Sequence, residues 1–392
     1  MVSLFAMLSG NTTCSSSAGD DPDVPGDNDI ENVTGKVHRN VLVYMVADNS
    51  LGAYNYDQDD LDEMLIGAQN GDLNGGRLLV YHNRRGTNTG SVPQLLEVTA
   101  SGIKVLKEYP DDPDIYSVDV DRMREAIADS RRYAPADDYG IVLWSHGDGW
   151  KETSSARSDS PILRSFGDDR GQNMKISSLR QALEGQNFSF VYFDCCFMAT
   201  IEVMYELRNV TPVIAGSGIE LPNAGMPYHL NLSSFFANGK ANILQAAKNT
   251  FEYYDAMSDF NRTCAMTVVN TAAIDELASA TRRIFATVTD YSQDLNTLQR
   301  YERPGWIPSL YDFRQYIEMI CTDQALLSSW QKAFDNTVVY AAHTPTIFYE
   351  LYLDHYCGLG SYVIMSPSDV TFRNYNLRPW FTDVVSASPL YD

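Results

Sequence analysis

Two residues in this chain could perform covalent chemistry if the fold brings them together. Cys196 lies just past the apolar run 188–193 and opens a helix-like stretch, 197–207. A thiol at a strand-to-helix junction lies near the partial positive charge of a helix N-terminus, which favours the thiolate. His146 closes a second apolar run, 139–145, fifty residues earlier. An imidazole there can act as general base, or pair as imidazolium with the thiolate. Gly147 lets a backbone N–H approach a reacting carbonyl closely, and with the N–H of Cys196 it would form an oxyanion hole. Asp194 and Cys195 directly precede Cys196. Adjacent side chains on an extended segment point to opposite faces, so only one of the two thiols should meet a cleft. The residues alone do not say which.

The elements around these residues are readable from periodicity. Continuous apolar runs at 41–47, 77–81, 139–145, 188–193 and 211–215 read as buried strands, and 94–98 with 103–106 as a hairpin around Ser101-Gly102. Helical spacing appears at 51–68, 119–133, 177–185 and 197–207. Strands alternating with helices predict an α/β fold with a parallel-rich sheet and helices on both faces. Ligands in such sheets bind beyond the carboxyl ends of the strands. Four of those ends carry polar or reactive groups: Asp48-Asn49, His146-Gly147, Asp194-Cys195-Cys196 and Ser217. After residue 240 the pattern turns mainly helical, at 242–256, 273–293 and 310–320, with strand-like pieces at 264–269, 338–342 and 360–365. The expected organisation is a leader over 1–36, a catalytic domain over 37–240 and a packed C-terminal subdomain over 241–392.

Composition narrows the function classes. The 392 residues carry 29 Lys+Arg against 51 Asp+Glu, a net charge of −22. Nucleic acid needs basic clusters, so it is excluded as a partner. Six cysteines are too few for a disulfide scaffold in a chain of this length; Cys264, Cys321 and Cys357 read as buried thiols. A serine hydrolase would need Gly-x-Ser-x-Gly, which Ala215–Ile219 does not supply. No zinc-hydrolase motif occurs. Asp57, Asp59, Asp60 and Asp62 are dense, but Leu61 and a missing Gly break the calcium-loop pattern, so they read as a solvated helix face.

Several strings together resemble the clostripain family of cysteine peptidases, in the clan of caspases, legumain and gingipains. They are Val43-Tyr-Met-Val-Ala-Asp-Asn-Ser-Leu51, Leu143-Trp-Ser-His-Gly-Asp-Gly-Trp150 and Phe193-Asp-Cys-Cys-Phe-Met-Ala-Thr-Ile-Glu-Val203, with weaker matches at Gly225-Met-Pro-Tyr228 and Gly360–Pro367. The resemblance spans about 38–370 and implies a caspase-like fold. The family's Asp-Ala-Cys falls on Asp194-Cys195-Cys196, which makes Cys196 the nucleophile and leaves Cys195 at a silent position. The fifty-residue His-to-Cys distance is also similar to that of caspases. The resemblance implies cleavage of peptide or protein substrates after basic P1 residues, with Asp194 as the acidic group of the pocket and Ser217 and Glu220 as further substrate-binding candidates. It implies no cofactor, although calcium dependence in some relatives leaves calcium open. It further implies a zymogen cut in the polar loop 151–170, with Arg157 and Arg164 as candidate sites, giving a monomer or a self-cleaved two-chain monomer. The alternative is a surface-tethered binding module with a degenerate pocket, against which the presence of both His146 and Cys196 argues.

The N-terminus suggests export. Val2–Leu8 is a short apolar run, too short to span a bilayer, and Cys14-Ser-Ser-Ser17 then leads into an acidic Gly/Pro-rich tether. Cys14 resembles the lipidation site of bacterial lipoproteins. The expected location is periplasmic, cell-surface or secreted, with a candidate lipid anchor.

Overall fold

The computed structural model describes residues 35–84, 92–110, 112–151, 165–290, 294–306, 309–364 and 372–391. The apolar run at 41–47 lies in strand β1 (Val37–Ala47), which is buried from Arg39 onward. Leu42, Tyr44 and Val46 pack into one hydrophobic core, and Val41, Val43 and Met45 into another on the opposite face. Side chains that alternate between two apolar layers leave no polar alternation to read, hence the unbroken run.

The remaining elements follow in order. Helices α1 (Ser50–Ala53) and α2 (Tyr56–Gln69) lead to β2 (Arg77–Arg84), then the hairpin β3 (Gln94–Thr99) and β4 (Gly102–Glu108). Next come α3 (Val120–Tyr133), β5 (Ala136–Trp144), a short hairpin of β6 (Phe166–Asp169) and β7 (Gln172–Met174), and α4 (Ile176–Leu183). Strand β8 (Phe190–Asp194) precedes α5 (Ile201–Glu206) and β9 (Val213–Gly216). Beyond them lie α6 (Tyr228–Phe235), α7 (Ile243–Asp255), β10 (Ala265–Asn270), α8 (Ile274–Phe285), β11 (Leu310–Asp312), α9 (Phe313–Ile320), α10 (Gln324–Thr337) and β12 (Val338–His343).

Nine strands form one sheet in the order β12-β10-β9-β8-β5-β1-β2-β3-β4. The central five, β9 to β2, are mutually parallel, and an antiparallel pair flanks them on each side. Residues of α2, α6 and α7 cover one face, and residues of α3, α4, α5, α8 and α10 the other. The α/β class and the hairpin at 94–108 therefore follow the sequence reading. The expected boundary at 240 falls inside a single compact unit, Gly35–Asp392, because β10 and β12 extend the same sheet. Among the described residues no helix is long and apolar enough to cross a membrane. Residues 1–34 of the expected leader, with Cys14, and both candidate processing sites, Arg157 and Arg164, lie outside the described residues.

Two expectations change. The helix expected from 197 starts only at Ile201, where Thr200 caps it by accepting from Val203 N. Residues 197–199 instead run beside 217–219, with Phe197 N donating to Ile219 O and Ala199 N to Ser217 O, and Phe197 adopts a left-handed φ of 59°. The four aspartates of 57–62 are not one solvated face. Asp57 and Asp60 are buried and Asp59 and Asp62 exposed, because 57, 60, 61 and 64 form the inward stripe of α2.

Candidate active site

Parallel register brings the two reactive side chains to one place. Trp144 of β5 pairs with Asp194 of β8, and His146 and Cys196 each lie two residues past that pair. Both line a cleft with Leu51, Asp194, Leu221 and Gly225. The cleft holds about 30 Å³ of free space, room for a water or two but not for a lysine side chain. Ser217 and Glu220 are not among its walls.

Gly147 is required by packing. A Cβ there would lie 2.6 Å from Cys196 O and 2.9 Å from Cys195 Cβ. The His146 loop is fastened to β6 by Gly167 N to His146 O, 2.9 Å, and Asp148 N to Ser165 O, 3.2 Å. These bonds run through its neighbours and do not draw on the N–H of Gly147. Ser50 Oγ lies 2.8 Å from His146 Nε2.

The two adjacent thiols diverge, although Cys195 also contributes to the cleft wall, contrary to the expectation that only one thiol would meet it. Cys195 Sγ donates to Leu143 O at 3.0 Å and belongs to the core on the α3–α5 side. Cys196 packs on the other side, and its Sγ accepts from Leu221 N at 3.3 Å. Burial, reinforced by the negative charges of Glu220, Asp148 and Asp194, pushes the Cys196 thiol up to about 12, against the single opposing N–H of Leu221. This reverses the expectation of a stabilised thiolate. No helix begins at residue 197, so its positive terminus does not reach the sulfur. Cys264, Cys321 and Cys357 are free thiols, as are Cys195 and Cys196.

Asp194 is buried beneath the cleft. It accepts from Met226 N at 3.0 Å and Tyr228 OH at 3.3 Å. Gly225, at φ +64°, lies so close that a Cβ would be 2.8 Å from Asp194 Oδ2. The string Gly225-Met-Pro-Tyr228 is thus the cradle of this carboxylate. Burial raises its pKa to about 7, with the charge of Glu63 adding to the rise, and the two neutral donors only partly offset this. Asp60 sits alongside, accepting from Trp144 Nε1 at 2.5 Å, and burial together with the Asp194 charge raises it too.

Glu220 has a different partner. Arg303 holds both its oxygens, at 2.5 Å and 3.1 Å, and also reaches Glu350 at 3.1 Å. Ser217 is fully buried, its Oγ accepting from Ile219 N. The structure therefore gives both residues a part in shaping the loop behind Cys196 rather than in facing the cleft. Lys151, at the start of the expected processing loop, is also buried, with Nζ 3.2 Å from Asp148 and 3.3 Å from Glu302. Among the described residues no group of three His, Cys, Asp or Glu side chains is arranged to hold a metal. Sequence reasoning missed Ser50, Asp60 and Arg303. Asp60 carried a signal in the inward stripe of α2, and Ser50 one in its place within the string Val43–Leu51.

Comparison with known proteins agrees with this architecture. Residues 43–359 match the model of the clostripain family. The chain matches none of the curated proteins. A secreted C11 cysteine protease from Bacteroides thetaiotaomicron, solved with an irreversible peptide inhibitor, is 27% identical with a TM-score of 0.75, over 88% of this chain and 98% of that one. An inactive zymogen C11 protease from Parabacteroides distasonis is 28% identical with a TM-score of 0.76, over 90% and 99%. The fold is thus the caspase-like α/β arrangement. With the family model covering most of its length, the chain belongs to the clostripain family and is a cysteine peptidase.

Proposed function

We propose that this protein is an exported endopeptidase that cleaves after Arg or Lys, with Cys196 as nucleophile and His146 as acid–base partner. The observation that carries this reading is the register that sets His146 and Cys196 in the wall of one cleft, which the buried Asp194 also lines. As Cys196 Sγ attacks the scissile carbonyl, its proton passes to His146 and the S–C bond forms. The N–H groups of Gly147 and Cys196 receive the oxyanion. The C–N bond then breaks as His146 returns the proton to the leaving amine. Water attacks the thioester, giving a proton to His146. The C–S bond breaks, the acid product leaves, and the thiol is restored.

Asp194 gives the P1 preference a physical basis. A buried carboxyl held by neutral donors gains most from an incoming cation, which supplies the missing counter-charge. The narrow cleft and the raised thiol fit a latent form, and cutting between β5 and β6, after Arg157 or Arg164, is the proposed activating step. The zymogen relative from Parabacteroides distasonis supports this. The cut chains would stay together, because β5 on one and β8 on the other are paired from Gly140–Phe190 to Trp144–Asp194. Export is supported by the secreted relative from Bacteroides thetaiotaomicron.

Parallel expression of wild type and Cys196→Ala tests the reading. Wild type is expected to yield two associated chains and to hydrolyse peptides, and Cys196→Ala to remain one inert chain. Equal cutting or hydrolysis in both would overturn it.

A further inference from the structure

Nothing in the chemistry proposed above uses Ser50, yet its hydroxyl meets the ring nitrogen of His146 at 2.8 Å. We propose that Ser50 is the positioning residue that orients the His146 imidazole and fixes its tautomer. This rests on the Cys196–His146 reading and extends it. With Nε2–H donating to Ser50 Oγ, proton exchange with Cys196 and the leaving amine falls to Nδ1. Once the ring is protonated, Ser50 Oγ still accepts from Nε2–H and so stabilises the imidazolium that forms during attack.

The contact is built into the fold. After β1 the chain doubles back so tightly that a Cβ on Gly52 would stand 2.0 Å from Ala47 O. Asn49, almost fully buried, pins this turn. Its Nδ2 donates to Val46 O at 2.9 Å, Ser145 Oγ at 3.3 Å and Asp168 O at 2.7 Å, while its Oδ1 accepts from Leu51 N at 2.8 Å. Ser145 in turn donates to Val46 O at 2.8 Å and accepts from Asp168 N at 3.2 Å. One network thus ties the ends of β1, β5 and β6. Ser50 and His146 are the chain neighbours of its two central members, Asn49 and Ser145. The hydroxyl and the imidazole are therefore held in register by buried bonds on both sides, which is the support a precisely placed catalytic group needs.

The experiment compares Ser50→Ala, Ser50→Thr and Cys196→Ala with wild type, each cut in the loop by a trace of added wild-type enzyme that is then removed, on one peptide reporter across pH. Ser50→Ala is expected to lower kcat by about 10-fold to 100-fold, part of what general acid–base assistance contributes, with KM little changed. The acid limb of its kcat/KM profile should move to lower pH, because the imidazolium has lost an acceptor. Ser50→Thr, which keeps the hydroxyl, should recover most of the loss. Wild-type kcat and an unmoved acid limb in Ser50→Ala would overturn the proposal. So would a raised kcat, which would mean that Ser50 holds the ring away from Cys196, or equal damage in Ser50→Thr. Residual hydrolysis by Cys196→Ala would instead remove the peptidase reading itself, and the role of Ser50 with it.

Discussion

Asp194 and Glu220 flank the same thiol, and as residue types both could receive a substrate cation. Burial raises the pKa of both, but the fold gives them different partners. Glu220 meets Arg303 through both oxygens, so its charge is already matched from within the chain. Among the described residues Asp194 has only a backbone N–H and a tyrosine hydroxyl, and its pKa stands near 7. A carboxylate given its own arginine stiffens a loop. One given only neutral donors keeps a demand for positive charge, which in the proposed function a basic P1 side chain meets at Asp194.

Removing the unmatched carboxylate should have the largest effect. Asp194→Asn should lower kcat/KM on Arg and Lys reporters by about 100-fold or more, since losing one partner of a buried ion pair costs about 3–5 kcal/mol. Reporters with a neutral P1 residue should change little, and an equal loss on both would erase the distinction drawn here. The pH dependence should be smaller and directional. A carboxyl with a raised pKa is neutral below that value and charged above it, so preference for Lys over norleucine should climb from pH 6 to pH 8 as Asp194 ionises. Taking the ratio of the two substrates cancels the titration of His146, and a flat ratio would contradict the assignment. Smallest is Glu220→Gln. Loosening the 217–222 loop should reduce activity by roughly 10-fold, in keeping with support-shell losses, and by the same factor on every reporter. A selective loss on basic reporters would give Glu220 the role assigned to Asp194.

Much of this was legible before the fold was known. The runs at 41–47, 139–145 and 188–193 are buried on both faces, so their sequences carry no competing polar pattern. Their polar ends mark the cleft because a parallel sheet aligns them. What escaped depends on contacts between distant segments. Glu220 and Arg303 are 83 positions apart, and no local pattern pairs them. The delayed start of α5 escaped because Phe197–Thr200 keeps helix-compatible residues while bonding to 217–219 instead. Gly225 looked like a weak motif residue, and only the closeness of Asp194 explains it.

The most direct test of the central claim is covalent labelling. The loop-cut protein is treated with chloromethyl ketone peptides that differ only at P1, Lys against norleucine, and the adduct is mapped by mass spectrometry. The account predicts an adduct on Cys196 alone, formed far faster with Lys. Labelling of Cys195 or Cys357, or equal rates with the two peptides, would contradict it.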